Sequence, residues 1–121
     1  MAIKKVLVVD DVPVDLMQLQ KIITDAGYLV ITATSGQEAI DKANAESPDM
    51  IFMDVLMDKV DGFMACREIN QGEATSRIPV VFVTSKNQKA DRIWAEMQGG
   101  NAMISKPYTP AQILEQIGRF H

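Results

Sequence analysis

Five residues of chemically useful type stand directly after short apolar runs: Asp10 and Asp11 after VLVV, Asp54 after IFM, Thr84 after VVFV and Lys106 after MIS. Taken singly, each has a plain reading. Two aspartates before Pro13 suit a turn and a helix N-cap. A lone threonine followed by Ser85 suits a cap, and a lysine before Pro107 suits a turn. Taken together, they put three carboxylates, a hydroxyl and an ammonium at the ends of four apolar runs. An uncompensated carboxylate at the end of a buried run is costly. Three converging carboxylates raise one another's proton affinity unless a cation sits among them. A hard divalent ion answers that need, and magnesium suits it better than calcium, because it accepts one or two carboxylates and keeps waters that a phosphate can replace. A lysine opposite such a cluster can pair with Asp54 and then with a phosphoryl oxygen.

The elements that must position these residues are legible as an alternation. Apolar runs at Ile3 to Val9, Tyr28 to Ala33, Met50 to Met53, Pro79 to Val83 and Ala102 to Ile104 have the composition and length of buried strands. Between and after them, helical spacing links Leu16, Leu19, Ile23 and Ala26; Ala39, Ile40 and Ala43; Phe63, Cys66 and Ile69; Ile93, Trp94 and Met97; and Ile113, Leu114, Ile117 and Phe120. Ser35 with Glu38 and Thr109 with Gln112 have capping-box spacing, Pro110 suits a first helical position and Gly27 a helix end. Strict alternation implies right-handed crossovers and a parallel α/β sheet covered on both faces. In such a sheet the ligand crevice lies beyond the carboxyl ends of the strands, where the five residues stand. Nearly all the methionines and aromatics fall on apolar positions of these strands and helices and are expected to be core packing, roughly nine in ten of them.

Composition narrows the function. A chain of 121 residues is expected to form one domain, 1–121, with no appended output domain. With 47% hydrophobic and 23% charged residues it should fold around a true core. A formal charge of -4 argues against nucleic acid as a direct partner. Cys66, the single cysteine, has no intrachain disulfide partner and reads as a small buried hydrophobe. The apolar run after Lys4 and Lys5 is too short for a signal peptide and ends in aspartates, and no stretch is long enough to span a bilayer. A cytoplasmic location and no membrane partner are therefore expected.

The order DD after strand one, D after strand three, T after strand four and KP after strand five resembles the receiver domain of bacterial two-component response regulators. The spacings, 30 residues from Asp54 to Thr84 and 22 from Thr84 to Lys106, are similar to those of chemotaxis-type receivers, and the likeness covers essentially the whole chain. It implies a flavodoxin-like doubly wound sheet of five parallel strands in the order 2-1-3-4-5 with five helices. It implies that Asp54 accepts a phosphoryl group from a histidine kinase. Asp11, Asp54 and the backbone carbonyl of Leu56 would bind Mg2+ directly, with Asp10 acting mainly through water. Lys106 would contact the phosphoryl group and Thr84 would swing toward it. Self-catalysed phosphorylation and dephosphorylation, rather than turnover of a separate substrate, would be the chain's only chemistry.

Around Lys86 to Gly100 the segment is similar to stand-alone receivers of the PilH type, which serve chemotaxis-like pathways controlling type IV pili and twitching motility. Output to a downstream motility or signalling protein would pass through the face of helix four, strand five and helix five, around Lys89 to Met97, Met103 and Tyr108 to Gln112, on a monomer. Three positions depart from the usual pattern. Met57 is followed by Asp58 rather than proline, which adds a carboxylate near the metal. Met103 stands where many receivers have an aromatic that couples to the threonine. Lys86, two residues after Thr84, is either a shield for the phosphoryl group or a solvated lysine. The rival readings are a receiver-like scaffold that works without phosphorylation and a phosphate sink for a sister regulator. An aspartyl phosphatase would carry its nucleophile at the first strand, and a flavin carrier would need a phosphate loop where this chain has DDVPVD.

Overall fold

The structure, a computed structural model, describes residues 3–55, 61–85 and 89–120. Five strands, β1 (Lys5–Val9), β2 (Leu29–Ala33), β3 (Met50–Met53), β4 (Val80–Thr84) and β5 (Ala102–Ser105), alternate with five helices, α1 (Pro13–Asp25), α2 (Gly36–Glu46), α3 (Gly62–Gln71), α4 (Lys89–Met97) and α5 (Pro110–Arg119). The strands form one parallel sheet in the order β2-β1-β3-β4-β5. This is the doubly wound arrangement expected from the alternation, with the strand order that the resemblance implies.

The period of two along each strand divides the core into two layers. Val6, Val8, Met50, Phe52, Val81, Val83 and Ile104 pack with Leu16, Leu19 and Ile23 of α1 and Ile113 and Ile117 of α5. Leu7, Val9, Ile51, Met53, Val80 and Phe82 face the other way, onto Ala39 and Ala43 of α2, Phe63, Ala65, Cys66 and Ile69 of α3, and Ala95 of α4. The central strands are thus buried on both faces, which explains why they read as continuous apolar runs. β2 lies at the sheet edge and departs from the buried expectation: Leu29 is 67% exposed.

Helix ends follow their local chemistry. Thr109 and Gln112 form a full capping box with Pro110 as the first helical residue of α5. At α2, Ser35 accepts from the Glu38 backbone N–H, while the Glu38 carboxylate accepts instead from the N–H of Thr34, one residue further back than the standard box. Gly27 has φ +99°, the left-handed conformation that lets the chain turn from α1 into β2. The residue capping α1 is Val12, with no side-chain cap, so neither Asp10 nor Asp11 serves as the N-cap.

The expectation that methionines and aromatics are core packing holds for Met50, Met53, Phe52 and Phe82 on the strands and Phe63 on α3, and fails at four other helical positions. Met17, Met64, Trp94 and Met97 are exposed, as is Ile93, and Ala95 is the buried residue of α4. Periodicity identifies residues that share a helix face but not whether another element covers that face.

Cys66 is fully buried, its thiol donating to the carbonyl of Gln98 at 3.3 Å, and burial pushes its pKa from 9.0 up to about 12. The thiolate is the reactive form. The native protein is therefore expected to resist a disulfide reagent at pH 8 and to react fully once unfolded in urea, as a colorimetric thiol assay would read. Because the folded pKa lies above the unfolded one, the thiol's contribution to stability is intact below pH 9.0 and is lost as pH rises toward 12.

Candidate functional site

At the carboxyl edge of the sheet the β1·β2, β1·β3 and β4·β5 ladders each extend by one residue, and those residues carry polar side chains. The Asp10 N–H donates to Ala33 O, the Asp54 N–H to Val9 O, and the Lys106 N–H to Thr84 O. Backbone pairing therefore fixes where these three side chains begin. Thr84 is the last residue of β4, paired with Ser105, and is fully buried. Asp10 and Asp54 are buried at 3% and 5% exposure, whereas Asp11 is exposed at the rim.

Asp10, Asp11 and Asp54 each bring a carboxylate oxygen within 4.8 Å of the others. An all-oxygen, all-anionic donor set of this size fits a hard divalent cation and offers nothing to a soft one. Asp10 makes a turn as well, its Oδ1 accepting from the Val12 N–H at 2.9 Å.

Lys106 compensates the buried charge. Its Nζ donates to Asp10 Oδ2 at 2.8 Å, Asp15 Oδ2 at 2.9 Å and Asp54 Oδ2 at 3.0 Å, so all three ammonium protons meet carboxylates. Burial opposes the charge on this lysine, but the three acceptors outweigh it and hold the group well above the usual lysine range. Burial raises the Asp10 pKa, against the hydrogen bonds from Lys106 and the Val12 N–H that favour its ionised form. Tyr108 is raised as well, first by burial. A cleft of 260 Å³ opens beside the cluster, lined by Asp15, Gln18, Lys106, Pro107 and Tyr108. A second cavity, of 490 Å³, lies between α2 and α3, and none of the clustered residues lines it.

Of the residues singled out from the sequence, Asp10, Asp11, Asp54 and Lys106 meet in one cluster, and Thr84 ends the neighbouring strand. Met103 lies on β5 opposite Phe82 of β4, half-buried against the layer under α2, α3 and α4. Leu56, Asp58 and Lys86 lie outside the described residues, as does Met57. Sequence reasoning missed Asp15. Its position in the first turn of α1 is an ordinary place for an acidic residue, yet helical side chains lean toward the N-terminus, here toward the strand ends, and that lean was the available signal.

Comparison with known proteins agrees with this geometry. The response regulator receiver domain family matches residues 6–118. Protein PilH of Pseudomonas aeruginosa is 34% identical over 113 residues, 93% of each chain. The chemotaxis protein CheY4 of Vibrio cholerae superposes with a TM-score of 0.93 at 28% identity, over 99% of this chain and 100% of its own. The receiver domain of sensor histidine kinase PA1611 from Pseudomonas aeruginosa, solved with a magnesium ion coordinated in its active site cleft, superposes with a TM-score of 0.90 at 28% identity, over 98% of both chains. Several other curated relatives are longer proteins, of which the chain spans about half or less. No helix among the described residues is long and apolar enough to cross a membrane.

Proposed function

The chain belongs to the response regulator receiver domain family, and on that premise we propose that it is a two-component phospho-switch whose acceptor is Asp54. The observation that carries this reading is the convergence of Asp54 with two further carboxylates and one fully engaged lysine at the sheet's carboxyl edge. In the transfer, an Asp54 carboxylate oxygen attacks the phosphorus of a phosphohistidine on a kinase. The new O–P bond forms as the N–P bond breaks, and the departing imidazole nitrogen takes up a proton. Lys106 steadies the Asp54 carboxylate beforehand and then donates to a phosphoryl oxygen, so that positioning and charge neutralisation do most of the catalytic work.

Asp10, Asp11 and Asp54, with the Leu56 carbonyl, are the residues that would hold Mg2+. When bound there, the cation would supply charge neutralisation for the phosphoryl oxygens. Thr84, at the end of β4, would answer the new charge with its hydroxyl and so repack the chain that leads to α4. Asp58 and Lys86 would tune the lifetime of the phosphoryl group.

The reading of output follows from the surface. α4 carries exposed Ile93, Trp94 and Met97 beside β5 and α5, an apolar patch suited to a protein partner. The match to PilH over 93% of both chains supports a receiver acting in pilus motility through this surface. Incubation with acetyl phosphate and Mg2+ is expected to add one phosphoryl group by intact mass, and a chelator is expected to prevent the gain. No gain in a folded protein saturated with magnesium would overturn the proposal.

A further inference from the structure

Lys106 is shared among three carboxylates, but the three are not equivalent. Asp10 and Asp54 also belong to the oxygen cluster suited to a cation, and Asp15 does not. When a divalent ion takes up the cluster, Asp10 and Asp54 each divide their charge between that ion and the lysine. Asp15 alone of the three acceptors remains undivided. When Asp54 carries a phosphoryl group, one of its oxygens becomes the bridging oxygen of a mixed anhydride and a poorer acceptor, and the lysine depends still more on what else holds it.

We propose that Asp15 is a positioning residue for Lys106, keeping the ammonium aimed at the phosphoryl-transfer position when Asp10 and Asp54 are engaged by a cation; this rests on the phosphoacceptor reading of Asp54. The geometry is suited to the task. Asp15 lies in the first turn of α1, where the helix dipole favours its carboxylate. Its side chain is 36% exposed against 5% for Asp10 and 7% for Asp54, so it anchors the lysine from the rim. It lines the cleft with Lys106, Pro107 and Tyr108, while the same ammonium reaches the buried Asp54 carboxylate at 3.0 Å. An unanchored lysine has four rotatable bonds with which to swing out along that cleft, and misplacement of a positioned group by about 1 Å costs up to about 100-fold in rate.

The test is a double-mutant cycle on the rate of phosphorylation by acetyl phosphate at saturating Mg2+. Asp15→Ala is expected to slow the reaction about tenfold. Asp15→Asn, which keeps a side-chain acceptor oxygen, is expected to fall between Asp15→Ala and wild type. In a Lys106→Met background Asp15→Ala should have no further effect, because its action passes through the lysine. An independent readout is the 15N-edited NMR signal of the Lys106 ammonium with Mg2+ bound. It should persist in the wild type, where hydrogen bonds slow its exchange with water, and vanish in Asp15→Ala. An unchanged signal in Asp15→Ala, or the same slowing with and without Lys106, overturns the assignment while leaving the phosphoacceptor reading intact. A wild type that takes up no phosphoryl group overturns that reading and the transfer role of Asp15 together. The ammonium signal then still reports whether Asp15 holds the lysine, so the two failures are read separately.

Discussion

Lys106→Met is expected to slow phosphorylation of Asp54 by about 100-fold, the scale seen when one donor is removed from a charge-stabilising site, and to make stability far more dependent on Mg2+. Both effects have one origin. In the native cluster a single ammonium answers Asp10, Asp15 and Asp54, two of them buried. Methionine matches the length of the side chain and leaves the buried carboxylates facing one another. Removing one partner of a buried ion pair typically costs about 3–5 kcal/mol, because the remaining charge is uncompensated. A divalent cation restores the balance of charge without restoring a proton donor. Urea unfolding of the variant should therefore show a loss of stability that millimolar Mg2+ largely reverses, while the phosphorylation rate stays low. A variant as stable as wild type in chelator would contradict the role given to Lys106 in neutralising the cluster.

Gly62→Ala is expected to destabilise the fold by more than about 3 kcal/mol, although alanine is the better helix former by about 1 kcal/mol. Gly62 is the first residue of α3, and its N–H donates to Val55 O at 3.0 Å. A Cβ built there would lie 2.1 Å from the Asp54 carbonyl oxygen and 2.8 Å from the Val55 Cα, both backbone atoms that cannot turn aside as a flexible side chain would. Relief requires α3 to move away from β3 or the Asp54 peptide to tilt. Overpacking of this kind usually costs about 1–3 kcal/mol, and a clash this close with the Asp54–Val55 peptide belongs above that range. The urea midpoint measures the cost. Since the Asp54 peptide is the obstacle, the surviving folded fraction should also accept phosphate more slowly. A midpoint equal to wild type would mean that the close approach of α3 to β3 is not needed.

The two layers of the core and the convergence of Asp10, Asp54 and Lys106 were legible in the sequence for the same reason. A strand buried on both faces must be continuously apolar, so its end is marked by the first polar residue, and parallel pairing brings those ends to one edge. Leu29 was misjudged because an apolar run does not reveal whether its strand lies at the centre of the sheet or at its margin. Trp94 and Met97 were misjudged because a helix face can be apolar without being covered. Asp15 escaped notice because its partner is 91 residues away, and nothing local distinguishes it from an acid placed for the helix dipole. The displaced cap at α2, where Glu38 serves Thr34 rather than Ser35, is likewise a choice between neighbouring N–H groups that spacing alone does not decide.

The central claim, that Asp54 is the acceptor, is tested most directly by trapping the phosphoryl group where it lands. After incubation with acetyl phosphate and Mg2+, borohydride reduction converts an aspartyl phosphate to homoserine, which peptide mass mapping locates. Homoserine at position 54, absent when the phosphodonor is omitted and absent in Asp54→Asn, is the expected result. Homoserine at Asp10, Asp11 or another carboxylate, or no conversion in a protein that has gained a phosphoryl group, would contradict it.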